Sequence, residues 1–265
     1  MTSSTQEARL GELDAVLDGA GPSLELADEL FALVDLLESQ PALRRALTDP
    51  SLVDEARTGL VEALFGQRVS ASARTVLAEA AARRWPGARG LATALEQQAV
   101  RALLLVAEAE HRLDTVEDEL FRFARIVAGA RDLRAALGDR TAPLASRQRL
   151  VADLLAGRSN NLTERLATRA VAARNRTFDL TVEHYLALAA ALRARSLAHV
   201  VVARPLTDEQ IARLKAALSR HARREVTLQV SVDPAVLGGA QVTLGDELIE
   251  GTVAGRLRDA HRLIG

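Results

Sequence analysis

One block of this chain is written twice. Asp28-Glu29-Leu30-Phe31 returns 90 residues later as Asp118-Glu119-Leu120-Phe121. Leu43-Arg44, Ala46-Leu47 and Asp49 return as Leu133-Arg134, Ala136-Leu137 and Asp139. Arg57, Leu60, Val61, Leu64 and Arg68 return as Arg147, Leu150, Val151, Leu154 and Arg158. Segments 28–68 and 118–158 thus share 14 ungapped identities, where composition alone would give roughly four. A fold for this chain must therefore contain two copies of one structural unit.

Both copies read as short helices. In the first, Leu26, Leu30, Phe31, Leu33, Val34 and Leu37 fall on one helical face; in the second, Val116, Leu120, Phe121, Phe123, Ala124 and Val127 do. Further helices are expected near 52–65 and 144–155, with Gly66 and Gly157 placed to end them, and over 71–84 and 162–174. Pro86, in Arg84-Trp85-Pro86-Gly87, should stop a helix. A long helical pattern then runs from about 88 to 111, with Leu95, Ala99, Ala102, Val106 and Leu113 on one side. By register it is both the last helix of copy one and the first of copy two. A shared helix would join the copies stiffly, and no Gly/Ser tract supports a loose tether. Copy two closes with a helix over 179–195.

Composition narrows the function. Of 265 residues 48% are apolar, yet there are only one Trp, one Tyr and five Phe, so the interior must be built from Ala, Leu and Val, which suits closely packed helices. A net charge of −1 gives no basic field for nucleic acid. The absence of Cys excludes disulfides and thiolate chemistry. The N-terminus lacks a basic segment followed by an apolar block, so no signal peptide is expected. No apolar run approaches the ~20 residues that span a bilayer.

The C-terminal part changes character. Ala198–Ala203 reads as a short buried strand, and Thr207-x-x-Gln210 as a capping box opening a helix over 208–223. Val226, Leu228, Val230 and Val232 then alternate with polar residues, the period of a half-buried strand. Asp233-Pro234 ends it, Gly238-Gly239 allows a reversal, 241–244 alternates again, and Gly245-Asp246 turns. A helix over 252–263 is expected last. The fold class is therefore mostly α: two repeated short-helix bundles sharing a long helix, followed by a small α+β domain. The expected domains are 1–93, 94–196 and 197–265.

The ordered set Asp233, Pro234, Gly238, Gly239, Gly245, Asp246, Glu250, Thr252, Arg256 and Leu257 resembles the C-terminal signature of the delta subunit of bacterial F-type ATP synthases. Glu250 and Thr252 stand where that family more often has Asp and Ser. Arg174-Asn175 and Ala203–Thr207 match two further short motifs of it. The resemblance covers about 94–265, and residues 1–93 look like an additional copy of the helical domain, as in long actinobacterial forms.

The resemblance implies a non-catalytic stator component of the peripheral stalk. Its helical domain would bind N-terminal helices of alpha subunits on the crown of the catalytic head, and its C-terminal unit the b subunit. The membrane would be met only indirectly, on the cytoplasmic face of the plasma membrane through the complex. By family analogy the helix-binding groove lies between the first and fifth helices of each bundle. The lining would be Val100, Leu104 and Ala107 against Leu166, Ala170 and Ala173 in copy two. In copy one it would be Leu10, Leu13 and Leu17 against Val76, Leu77 and Ala80. Ordinary core packing is the competing reading of all twelve. A helical-repeat adaptor acting outside ATP synthase is the alternative function.

Nothing in the residues suggests catalysis, a small-molecule substrate, a cofactor or a metal. His111, His184, His199, His221 and His261 are scattered without ligand spacing. Gly238-Gly239 lacks the frame of a phosphate loop. Asp233, Asp246 and Glu250 read as turn and helix-start acids rather than an acid/base pair. The first fifty residues carry ten acids against three Arg, while 158–204 carry eight Arg against three acids. Solvated helix faces are the default explanation, and steering of partner docking is the functional one.

Overall fold

The duplicated block folds twice into the same succession of helices. In the computed structural model, residues 2–87, 89–173, 176–222, 226–234, 239–244 and 247–250 are described. Copy one comprises α1 (Thr2–Ala20), α2 (Leu24–Ser39), α3 (Pro41–Leu47), α4 (Asp54–Phe65), α5 (Ala71–Ala82) and α6 (Gly90–Ala109). Copy two starts on that same α6 and continues through α7 (Leu113–Gly129), α8 (Arg131–Gly138), α9 (Leu144–Leu155), α10 (Asn161–Val171) and α11 (Phe178–Ser196).

The shared helix explains its own composition. α6 packs against α1, α2 and α5 of copy one and against α7 and α10 of copy two. Fourteen of its twenty residues are buried, far more than the single stripe that the spacing suggested. A helix with apolar residues on all sides belongs in an interior, and here that interior belongs to both copies.

Local chemistry sets the helix ends. Ser23, Ser70 and Asn160 cap α2, α5 and α10, accepting from the amides of Leu26, Ala73 and Leu162. Pro41 opens α3 at its first turn, where a missing N–H costs nothing. α5 stops at Ala82, ahead of Pro86. Gly157, just past α9, has φ 68°, the conformation for which glycine is suited.

The chain divides into two compact units, Met1–Leu186 and Ala187–Gly265. The first holds α1 to α10 and the start of α11, whose remainder belongs to the second, and positions 93 and 94 fall inside α6. The second contains β1 (Leu197–Val202), α12 (Asp208–Ala222), β2 (Thr227–Val232), β3 (Ala240–Leu244) and β4 (Glu247–Glu250). Its sheet order is β2-β1-β3-β4, with β1 parallel to β2 and antiparallel to β3, and β3 antiparallel to β4. α12 is thus the crossover of a βαβ unit. The capping box forms: the Gln210 amide donates to Thr207 Oγ1 at 3.3 Å, and the Thr207 amide donates to Gln210 Oε1 at 2.9 Å.

Ala198, Val200 and Val202 point from β1 into a small core with Leu218, Val226, Val242 and Leu244. β4 is an addition to the sequence reading, because four residues are too few to show a period of two. Glu250, expected just ahead of a helix, is instead the last residue of β4, opposite Gln241. The helix expected over 252–263 lies outside the described residues.

Candidate partner-binding site

The fifth helix of each copy, α5 and α10, forms one wall of the expected groove, and the duplicated residues hold it at both ends. Glu29 accepts from the Ser70 amide at 2.7 Å and from the Ser70 hydroxyl at 2.5 Å. Ninety residues on, Glu119 accepts from the Asn160 amide at 2.8 Å and the Thr163 hydroxyl at 2.5 Å. Each carboxylate therefore sits at a helix N-terminus, where orphan amides and the helix dipole both favour it. At the other end, buried Arg57 donates to the Ala82 carbonyl at 2.7 Å. Arg147 donates to the carbonyls of Leu137 at 3.1 Å and Val171 at 3.4 Å.

Held this way, α5 lies against α1, and α10 against α6. Leu13, Leu17, Val76, Leu77 and Ala80 are fully buried, and Leu10 is half-buried. In copy two, Val100, Leu104, Ala107, Leu166 and Ala170 are buried, and Ala173 is half-buried. The inner rows of both seams are closed within the chain itself rather than lining an open groove. Leu10 and Ala173 are the lining residues that reach the surface.

The contact of α1 with α6 carries a polar inset. Gln98 Nε2 donates to Asp14 Oδ1 at 2.9 Å, and Arg101 Nη2 donates to Asp18 Oδ1 and Oδ2 at 2.7 and 2.9 Å. Gln98 and Arg101 are buried, and Asp14 nearly so. The 90-residue offset places Leu104, Leu188 and Ala191 at the counterparts of Asp14, Gln98 and Arg101. The inset therefore belongs to copy one alone.

The copies also meet directly, α2 against α10. Arg165 makes a two-pronged pair with Asp28 at 2.8 and 3.0 Å. Arg169 donates to Asp35 at 2.7 Å and to Glu96 at 3.1 Å, with its guanidinium 4.7 Å from the centroid of the Phe31 ring. Burial works against the Arg169 charge, but Glu96 and Asp35 outweigh it and hold the pKa above the ordinary value. The contact adds to the reading of the charge asymmetry: two of the exposed N-terminal acids, Asp28 and Asp35, pair with Arg165 and Arg169 of the same chain. Pairs 137 and 134 residues apart carry no local spacing signal.

On α7 the structure departs from the helical spacing, which puts Phe121 and Ala124 on the core face: Phe121 is 53% exposed and Ala124 half-buried. Leu120 and Phe123 take the core positions, and a step of 100° per residue carries Phe121 past them.

Between α2, α6, α10 and α11 lies a cavity of about 410 Å³, with Asp35, Thr93, Glu96, Arg169, His184 and Tyr185 in its wall. Burial first, and then the Arg176 charge, lowers His184 to a pKa of about 4. Burial and then Glu96 raise that of Tyr185. Both rings are therefore neutral near pH 7.

Of the C-terminal signature, Asp233 and Pro234 end β2, with the Asp233 amide donating to the Val202 carbonyl at 2.9 Å. Gly239 precedes β3 with φ 82°, the backbone freedom expected of it. Gly238, Gly245, Asp246, Thr252, Arg256 and Leu257 lie outside the described residues, as do Arg174 and Asn175.

Residues 96–264, the second copy and the α+β unit, match the family model "ATP synthase delta (OSCP) subunit". The chain belongs to that family. ATP synthase subunit delta of Streptomyces coelicolor is 46% identical over 252 residues, covering 94% of this chain and 92% of the relative. That of Cutibacterium acnes is 41% identical over 254 residues, covering 96% and 97%, and that of Frankia alni 42% over 266, covering 98% and 96%. The family's long members thus match the extra helical copy as well as the part that the family model describes.

Proposed function

We propose that this chain is a non-catalytic stator subunit of a rotary ATP synthase, linking the crown of the catalytic head to the peripheral stalk. The observation that carries this is near full-length identity above 40% to proteins named ATP synthase subunit delta. The architecture supports it physically. Two bundles share one helix that is buried by both, which leaves no hinge between them. A part that transmits load needs that kind of joint rather than a flexible linker. Among the described residues, no helix is long and apolar enough to cross a membrane, so membrane attachment would come through partner subunits, at the cytoplasmic face.

In this reading each bundle takes one amphipathic N-terminal helix of an alpha subunit, and the α+β unit takes the b subunit. Because the inner rows of the α1/α5 and α6/α10 seams are closed, the partner helix lies along the outer rim, where Leu10 and Ala173 emerge. The test is calorimetric titration of a synthetic alpha N-terminal helix into the full chain. Two binding events are expected, and Leu10→Asp and Ala173→Asp should each abolish one. An unchanged baseline throughout would sink the assignment of the helical unit.

A further inference from the structure

The 90-residue offset that relates the two copies also relates a covered surface to an open one. Two arginines of α10 cover α2 of copy one: Arg165 grips Asp28, and Arg169 spans Phe31, Asp35 and Glu96. The offset carries Asp28, Phe31, Asp35 and Glu96 onto Asp118, Phe121, Arg125 and Leu186. Phe31 is half-buried beneath Arg169, whereas Phe121 is 53% exposed and Arg125 is exposed beside it. Repeat arrays normally finish with a polar outer face, but α7 keeps the Phe of the duplicated tetrapeptide in the open.

We propose that this face of α7 docks an amphipathic helix of a neighbouring protein subunit, seated on α7 as α10 is seated on α2. The residues specify the occupant's chemistry. A basic side chain meets Asp118, an apolar one meets Phe121 and Leu186, and an acidic one meets Arg125. The base and the acid stand one helical turn apart, as Arg165 and Arg169 do. Asp118 is held at present by Arg122 at 2.7 Å, with both side chains more than half exposed. A surface pair of that kind contributes little and exchanges readily. A second copy of this chain does not fit: its α10 would bring Arg169 against Arg125, and both its arginines are already engaged. That the partner is an ATP synthase subunit rests on the function proposed above; the docking itself does not.

The test places a photoreactive phenylalanine analogue at position 121 of the full chain in its native cells, with the same group at Val53, 65% exposed on copy one, as the background. Cross-linked peptides are identified by mass spectrometry. The expected product joins position 121 to one helix of another protein with the base–apolar–acid pattern, at a yield several-fold above background, and Arg125→Glu lowers that yield at least threefold. No product above background, or a dimer of this chain, overturns the inference. A helix of that pattern from a protein outside ATP synthase would keep the docking site and overturn the stator function instead.

Discussion

Gly21 and His111, 90 residues apart, turn the same corner of the two copies, with φ 77° and 55°. Gly21 donates its amide to the Asp18 carbonyl at 3.3 Å, and His111 donates to Glu108 at 2.9 Å, the equivalent position. Copy one fills the left-handed position with glycine; copy two strains a histidine into it. His111→Gly should stabilise the protein by about 0.5–1 kcal/mol, after allowance for the added freedom of the unfolded chain. Urea denaturation of the two proteins measures it, and a loss of stability would contradict the backbone argument.

Glu29 and Glu119 give a paired prediction. Glu119→Ala removes the acceptor for the Asn160 amide and the Thr163 hydroxyl; Glu29→Ala does the same to Ser70. Each should cost about 1–2 kcal/mol, with nearly equal values because the roles are duplicated. A difference of more than about 1.5 kcal/mol between them would mean that the copies are not energetically equivalent here.

The polar inset of copy one makes a sharper case. Arg101→Ala leaves Asp14 and Asp18 without their cation in a largely buried seam, at a cost of about 3–5 kcal/mol. The triple change Asp14→Leu, Gln98→Leu, Arg101→Ala reproduces copy two, where the counterparts are Leu104, Leu188 and Ala191. It should cost less than the single change, since an apolar seam of similar volume replaces the buried polar groups. Chemical denaturation of both variants decides this.

Acid should act through His184. The folded protein keeps its imidazole neutral down to a pKa of about 4, against the ordinary 6.5. Between those values the unfolded chain binds more protons. The stability held by the neutral ring is therefore fully present above about pH 6.5 and is lost as pH falls towards 4. The urea midpoint should drop over that window, and His184→Gln should flatten the drop. A His184→Gln profile parallel to the parent's would remove His184 as its source.

The duplication, the helix periods and the shared α6 could be read from the sequence, because identities at a fixed offset and a 3.6-residue spacing are local signals. The capping box at Thr207 and Gln210 and the alternation of β2 were legible for the same reason. What covers each helix was not. Phe31 and Phe121 stand in the same tetrapeptide, yet only Phe31 has Arg169 over it, and that partner lies 138 residues away. Nor could periodicity separate a groove from a core at Leu13 or Leu104, since it reports that a face is buried and not by what.

Inverted membrane vesicles reveal whether this chain carries load between the catalytic head and the stalk. Vesicles stripped of this chain should still hydrolyse ATP but lose ATP-driven proton uptake, measured with a pH-sensitive dye, and adding the purified chain should restore that uptake. Vesicles that pump at the full rate without it would contradict the account.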